Sequence, residues 1–350
     1  MRIGTITFHW GTNYGAVMQA YALQNVLNNM GNETEIIDYL PIRVATIQKV
    51  NELCLKNFNF FKKEKNIENF RKNELKLSIK TYKNSKALKK CRNSYDAVIC
   101  GSDQIWNESF LLHSESCPNL SYYLDFVAAN SKKISYAVSF GTNKLSNKSN
   151  DLVLPQLQKF NSISVREKTG QEILSNINIK SEIVLDPTLL LNKDNYNSLL
   201  DRKTFSDVQK VFSYIIHNEQ NEAIKISNYV KAQYSESFNG KYYDIYCGIY
   251  EWLNNIKNAE VVVTNSFHGM VFSIIFNTPF IVVPVHNSKM NDRLTTLLSQ
   301  LDLENRIVYE YNSDIIEKVL SAPINWTEVE NKLKSLKQSS YDFLTEALNK

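Results

Sequence analysis

The sequence predicts an α/β protein: parallel sheets flanked by helices, in two domains facing a cleft. Three observations predict it. At 350 residues the chain is long for one core and comfortable for two, each able to bury a substantial apolar interior. Short apolar runs rich in β-branched residues alternate with stretches of helical periodicity, the rhythm of βαβ units. That alternation occurs twice, with a break at residues 192–206 between the two series.

In the first series the expected strands are residues 3–8, 35–39, 97–100, 134–139, 163–165 and 183–185. The clearest helix is 16–29, where Val17, Ala20, Tyr21, Leu23, Gln24 and Leu27 form one stripe and Gly31 stops it. In the second series strands are expected at 211–216, 242–246, 261–263, 280–283 and 307–309, with helices at 219–233 and 292–301. Residues 326–348 read as a terminal amphipathic helix. The expected domains are therefore 1–195, carrying a basic insertion at about 43–92, then 206–325, followed by the helical segment 326–350.

Composition narrows the class. With 43% hydrophobic and 22% charged residues the chain is neither disordered nor fibrous. Its first ten residues read as a strand and lack the features of an export signal. The longest apolar stretch, 261–285, is cut by Thr264, Asn265, His268, Asn277 and Pro279, so it does not read as a membrane span. Five cysteines, an odd number without Cys-x-x-Cys spacing, fit reduced thiols in a cytoplasm. Net charge is +4, yet residues 43–92 alone hold 15 Lys and Arg against 4 Glu. There Phe58, Phe60, Phe61, Ile67, Phe70, Leu75, Leu77 and Ile79 interleave with the basic residues, which suits a surface helix peripheral to an anionic inner membrane face or a polyanionic acceptor. A solvated Lys-rich helix face is the plainer alternative. Nucleic acid is not expected, because no binding motif accompanies the charge.

The chemistry gathers where strands end. In open α/β sheets that end is where ligands bind, and the following helix presents free amides to an anion. The run Val261 to Val263 breaks into Thr264, Asn265, Ser266, Phe267, His268 and Gly269, so His268 stands at such an end and is the expected proton shuttle. The plainer reading is a buried histidine satisfied by backbone. The first strand ends in an elbow holding Asn13, Tyr14 and Gly15, where Gly11 and Gly15 permit a tight turn; a structural turn is its alternative. A second elbow carries Ser102, Asp103, Gln104 and Trp106, polar groups beside an indole that suit a sugar, with Ser102 as a helix cap the alternative. Arg166 suits a carboxylate or phosphate, or pairs with Glu167 or another acid, and Arg293 begins a later helix facing the cleft or solvent. No Asp-x-Asp, His-Glu-x-x-His or Gly-x-Ser-x-Gly occurs, and neither metal nor cofactor is expected.

Together, Asn13-Tyr14-Gly15-Ala16 with Gln19-Ala20-Tyr21-Ala22-Leu23, the 101–107 elbow, Ser164-Val165-Arg166-Glu167, Asp186-Pro187-Thr188 and Thr264-Asn265-Ser266-Phe267-His268-Gly269 resemble the polysaccharide pyruvyl transferase family. The resemblance runs from residue 3 to about 301 and leaves the insertion outside. It implies two Rossmann-like domains in a GT-B-like arrangement, and transfer of a pyruvyl group from phosphoenolpyruvate onto two hydroxyls of a saccharide as a ketal, in cell-surface polysaccharide synthesis. His268 would be the catalytic histidine. Arg166, Arg293, Ser266, Asn265 and Gly269 are then expected at the donor, and Asn13, Tyr14, Gly15, Ser102, Asp103, Gln104 and Trp106 at the acceptor, which the basic insertion would suit if lipid-linked. The chain departs from the family pattern at Ser266, where members commonly carry arginine. Either Arg166 or Arg293 supplies the anion contact, or the donor differs. A GT-B-type glycosyltransferase using a nucleotide sugar and a non-catalytic saccharide- or membrane-associated assembly protein are the two competing readings.

Overall fold

The computed structural model describes residues 1–41, 58–112, 118–205, 209–216, 221–234, 247–286 and 291–350. The chain divides into two compact units, one of Met1–Phe58, Glu68–Leu190 and Leu336–Lys350, the other of Asn59–Ile67 and Leu191–Ser335. Two helices, Phe58–Glu74 and Trp326–Asn349, each have residues in both units.

The first unit is built on six parallel strands in the order β2-β1-β3-β4-β5-β6. They are β1 (Arg2–Ile6), β2 (Glu33–Ile36), β3 (Ala97–Asp103), β4 (Lys132–Val138), β5 (Ser162–Val165) and β6 (Glu182–Ile183). All seven residues of β3 are buried, as expected of a strand in the middle of a parallel sheet covered on both faces. The order reverses between β1 and β3, the position where open α/β sheets form their ligand crevice. The helix Tyr14–Asn29 follows β1, capped by Asn13, whose Oδ1 accepts from the amides of Gly15 (2.9 Å) and Ala16 (3.4 Å). The last turns of the terminal helix complete this core, burying Phe343, Leu344 and Ala347, and Ser340 accepts a bond from the Leu185 amide at 3.0 Å.

The second unit carries β7 (Val211–Tyr214), β8 (Val261–Thr264) and β9 (Phe280–Val282), parallel and in that order. The expected strand at 242–246 lies outside the described residues. Residues 307–309 are no strand: Ile307 makes a single parallel bridge to Val282. After β8 comes the helix Phe267–Phe276, whose residues are buried apart from Ile275. Its apolar faces pack Phe272 against Trp252 and Tyr196, at 5.1 and 5.0 Å between ring centroids.

Residues 42–57 lie outside the described part, but Ile67, Phe70 and Leu75 are buried and Leu77 is half-buried, so these apolar residues serve packing. Ile79 remains fully exposed. Arg71 donates to the His9 carbonyl at 3.0 Å and pairs with Glu68. Among the described residues no helix is long and apolar enough to cross a membrane.

Candidate functional site

The elbow after β8 is assembled by short polar side chains. The Thr264 hydroxyl donates to the Tyr214 carbonyl at 2.6 Å and accepts from the Ser266 amide at 3.0 Å, turning the chain sharply off the strand. Ser266 is the N-cap, its Oγ accepting from the Gly269 amide at 3.4 Å. Asn265 accepts from the Ile216 amide at 2.8 Å, which ties the end of β8 to the end of β7. A Cβ on Gly269 would stand 2.5 Å from Thr264 Oγ1 and 3.0 Å from Tyr214 Cδ1, so only glycine lets the helix start this close to the strands. Asn265, Ser266 and Gly269, expected at the donor, therefore have structural work in the elbow itself.

That construction fixes His268. It is the second residue of the helix, 5% exposed, with its ring 5.2 Å from the Phe267 ring and nearly perpendicular to it. Arg293, on the helix Asp292–Gln300, lays its guanidinium 5.6 Å from the centre of the same Phe267 ring. Asn291 anchors the start of that helix, its side chain bonding both the amide (3.1 Å) and the carbonyl (2.6 Å) of Val285. An imidazole and a guanidinium thus flank one aromatic ring at a strand's C-terminal end. Such a pair can move a proton and hold an anion.

The first unit's strand ends are arranged otherwise. Arg166 follows β5 with its side chain 2% exposed, and three carboxylates face it: Asp186 at 2.7 Å, Asp103 at 3.5 Å and Glu167 at 3.8 Å. Burial opposes the guanidinium's charge, but Asp186, Asp103 and Glu167 more than offset it and hold the pKa above its ordinary value. A fork aimed at carboxylates is not aimed at a phosphate, so the expectation of Arg166 at the donor is corrected to an internal ion-pair network. Trp106 is likewise buried completely. Its indole donates to the Tyr122 carbonyl at 2.9 Å and stacks on Tyr123 at 5.1 Å, which leaves no face for a sugar. Tyr14 is also fully buried, Gly15 is buried too, and the amides of Gly15 and Ala16 bond Asn13. The turn is thus built by the chain's own cap, the structural alternative to an acceptor contact.

Ser102 is buried, its hydroxyl within bonding distance of the Ala137 carbonyl (2.9 Å) and Asp186 (3.1 Å). Of the expected acceptor residues, Asn13 is exposed, Gln104 is half-buried and the Asp103 side chain keeps 12% of its surface open. Sequence reasoning missed Asp186, which also accepts from the Thr188 amide and hydroxyl at 3.1 and 2.7 Å, although the Asp186-Pro187-Thr188 run carried the signal. It also missed Gln19. That side chain accepts from the Ser102 amide at 3.0 Å and donates to Thr7 at 2.9 Å, tying the chain after β1 to β3. A glutamine among the buried residues of the first helix, as also at Gln24, was the available sign. Among the described residues no group of three His, Cys, Asp or Glu is placed to hold a metal ion.

A family model described as polysaccharide pyruvyl transferase matches residues 13–287. No curated protein matches the chain by sequence. Among solved structures, UDP-N-acetylglucosamine 2-epimerase from Rickettsia bellii is similar at 8% identity and a TM-score of 0.52, covering 100% of this chain and 97% of that one. MnaA of S. aureus, in a structure with UDP, is similar at 11% identity and a TM-score of 0.50, covering 95% of this chain and 90% of that one. At such identities the likeness is one of fold, the parallel-sheet α/β architecture of GT-B-type enzymes.

Proposed function

The chain belongs to the polysaccharide pyruvyl transferase family, and from that premise we propose that it carries a pyruvyl group from phosphoenolpyruvate onto two hydroxyls of a saccharide, closing a cyclic ketal. The observation supporting this reading is the elbow after β8, where His268 and Arg293 flank the Phe267 ring. In this reading the His268 imidazolium gives its proton to the methylene carbon of the enol phosphate, whose C=C electrons form the new C–H bond and leave an oxocarbenium-like centre at the adjoining carbon. One sugar hydroxyl attacks that carbon and gives up its proton to a base. The C–O bond to phosphate then breaks, phosphate leaving with the electron pair, and the second hydroxyl bonds the same carbon and closes the ring as its proton passes to the departing phosphate. Phosphoenolpyruvate and a diol become ketal and phosphate. Arg293 meets the donor's negative charge, a charge-assisted contact.

The test is a purified chain incubated with phosphoenolpyruvate and saccharide acceptors, read by phosphate release and by the mass of a pyruvate ketal on the acceptor. His268→Ala should cut turnover by about 10²-fold or more while the chain stays folded. Turnover retained in that variant removes His268 from the mechanism. The similar UDP-binding and UDP-sugar proteins support a second reading, glycosyl transfer from a nucleotide sugar. Calorimetry decides between them: binding of a UDP-sugar without binding of phosphoenolpyruvate replaces the first with the second.

A further inference from the structure

After the helix Phe58–Glu74 the basic segment changes character. From Leu75 to Tyr95 the chain carries seven Lys and Arg and no Asp or Glu. Lys80, Lys83, Lys86 and Lys89 recur at every third residue and all are exposed, as are Lys90 and Arg92. Lys76 is exposed too and pairs with Glu33 at 3.3 Å. All of these residues belong to the first unit. Outside 43–92 the chain holds 25 basic residues against 32 acidic ones, so its excess positive charge is confined to the insertion.

Within this stretch one apolar side chain is held outward by a built support. Residues 76–82 run alongside β2 and its continuation to Tyr39, with parallel bridges from Leu77 to Ile36 and from Tyr82 to Tyr39. The Ile36 amide donates to the Lys76 carbonyl at 2.8 Å, and the Tyr82 amide to the Asp38 carbonyl at 2.7 Å. Between the bridges, Ser78 and Thr81 both grip Asp38. The Ser78 hydroxyl accepts from the Asp38 amide at 2.9 Å and donates to the Lys80 carbonyl at 2.9 Å, while Thr81 donates to the Asp38 carboxylate at 2.5 Å. The other oxygen of that carboxylate lies 3.0 Å from Nε2 of the buried His9. Ile79 and Lys80 are left as a two-residue tip pinned on both sides. Leu75, Tyr82 and Leu88 are buried around it, whereas Ile79 is exposed at 103% of its reference area.

The charge calls for an anionic partner, and the isoleucine says which kind. A polyanionic saccharide would answer the lysines but offer nothing apolar to Ile79. A bilayer offers both, a negative headgroup layer and, just below it, an acyl boundary that an apolar side chain can enter. Lysine stems are long enough to keep their ammonium groups among the headgroups while the tip goes deeper. We propose that the edge formed by residues 76–86 docks the protein on a membrane surface rich in anionic phospholipid, Ile79 inserting and Lys80, Lys83 and Lys86 meeting the phosphates. One apolar residue with a few lysines gives reversible, salt-dependent attachment. This placement goes beyond the transfer reaction and does not depend on it.

The experiment is co-sedimentation of the full chain with vesicles of phosphatidylcholine alone and of an equal mixture of phosphatidylcholine and phosphatidylglycerol, titrated in lipid. The wild type should bind the mixed vesicles, release them in high salt and ignore pure phosphatidylcholine. Ile79→Ser should weaken binding to the mixed vesicles about tenfold, and Ile79→Trp should bind at least as tightly as the wild type. Replacing Lys80, Lys83 and Lys86 together by Gln should weaken it about 10²-fold, roughly fivefold for each charge. Melting temperatures should not change, because these four side chains are exposed. A wild type that leaves the mixed vesicles unbound overturns the proposal, as does equal binding by the wild type and either Ile79→Ser or the triple variant, or a Trp variant no tighter than the Ser one. Retention of the wild type by dextran sulfate but not by mixed vesicles also overturns it and gives the surface to a polyanionic saccharide.

Discussion

Position 266 shows how one residue can serve fold in place of charge. Ser266 caps the helix that bears His268, and an N-cap serine contributes about 1 kcal/mol that an arginine side chain does not supply. The guanidinium near this turn comes from a later helix instead, Arg293 lying over the Phe267 ring. Arg166 shows the opposite economy, a strong cation spent wholly inside. Removing it leaves Asp186, Asp103 and Glu167 buried around an empty position, and breaking a buried pair from one side is strongly destabilising. Arg166→Leu should lower unfolding stability by about 3–5 kcal/mol, measured by urea denaturation. A stability within 1 kcal/mol of wild type would show the carboxylates to be solvated in solution.

At the level of elements, the β8 elbow depends on how closely a helix can begin after a strand. Gly269 permits that approach because its missing Cβ leaves room for Thr264 Oγ1 and the Tyr214 ring. Gly269→Ala should cost about 1–3 kcal/mol by overpacking, and it should also lower turnover by tilting the first helical turn and with it His268. Thermal melting and steady-state kinetics on the same preparation check both effects. An alanine variant as stable and as active as wild type would mean that the turn relaxes freely. Most elements here were legible as local patterns: the β-branched runs at 97–100 and 261–263 appear as β3 and β8 with small shifts at their ends. Residues 307–309 misled because Ile307-Val308-Tyr309 has strand composition but forms only one bridge to Val282, and strand formation depends on a partner more than on propensity.

On the scale of the whole molecule, the chain returns at its end to the unit in which it began. Residues 336–350 pack with the first unit and bury Phe343, Leu344 and Leu348, each worth about 1.5–3 kcal/mol when fully buried. Their sum rivals the 5–15 kcal/mol by which a typical domain is stable. Deleting 336–350 should therefore leave the first unit unable to fold, seen as proteolysis within 1–58 and 68–190 while 191–335 resists. Resistance of both segments would refute that dependence. The sequence by itself determined the α/β class, the family and the strand-end placement of His268, because these follow from periodicity and from short motifs whose parts are neighbours along the chain. Only the tertiary structure decided that Arg166 faces Asp186, that Trp106 is sealed in the core and that the basic segment reaches the Cys247–Gly248 turn. Those outcomes depend on which distant segments share a space, and burial and pairing across such distances leave no mark in local pattern.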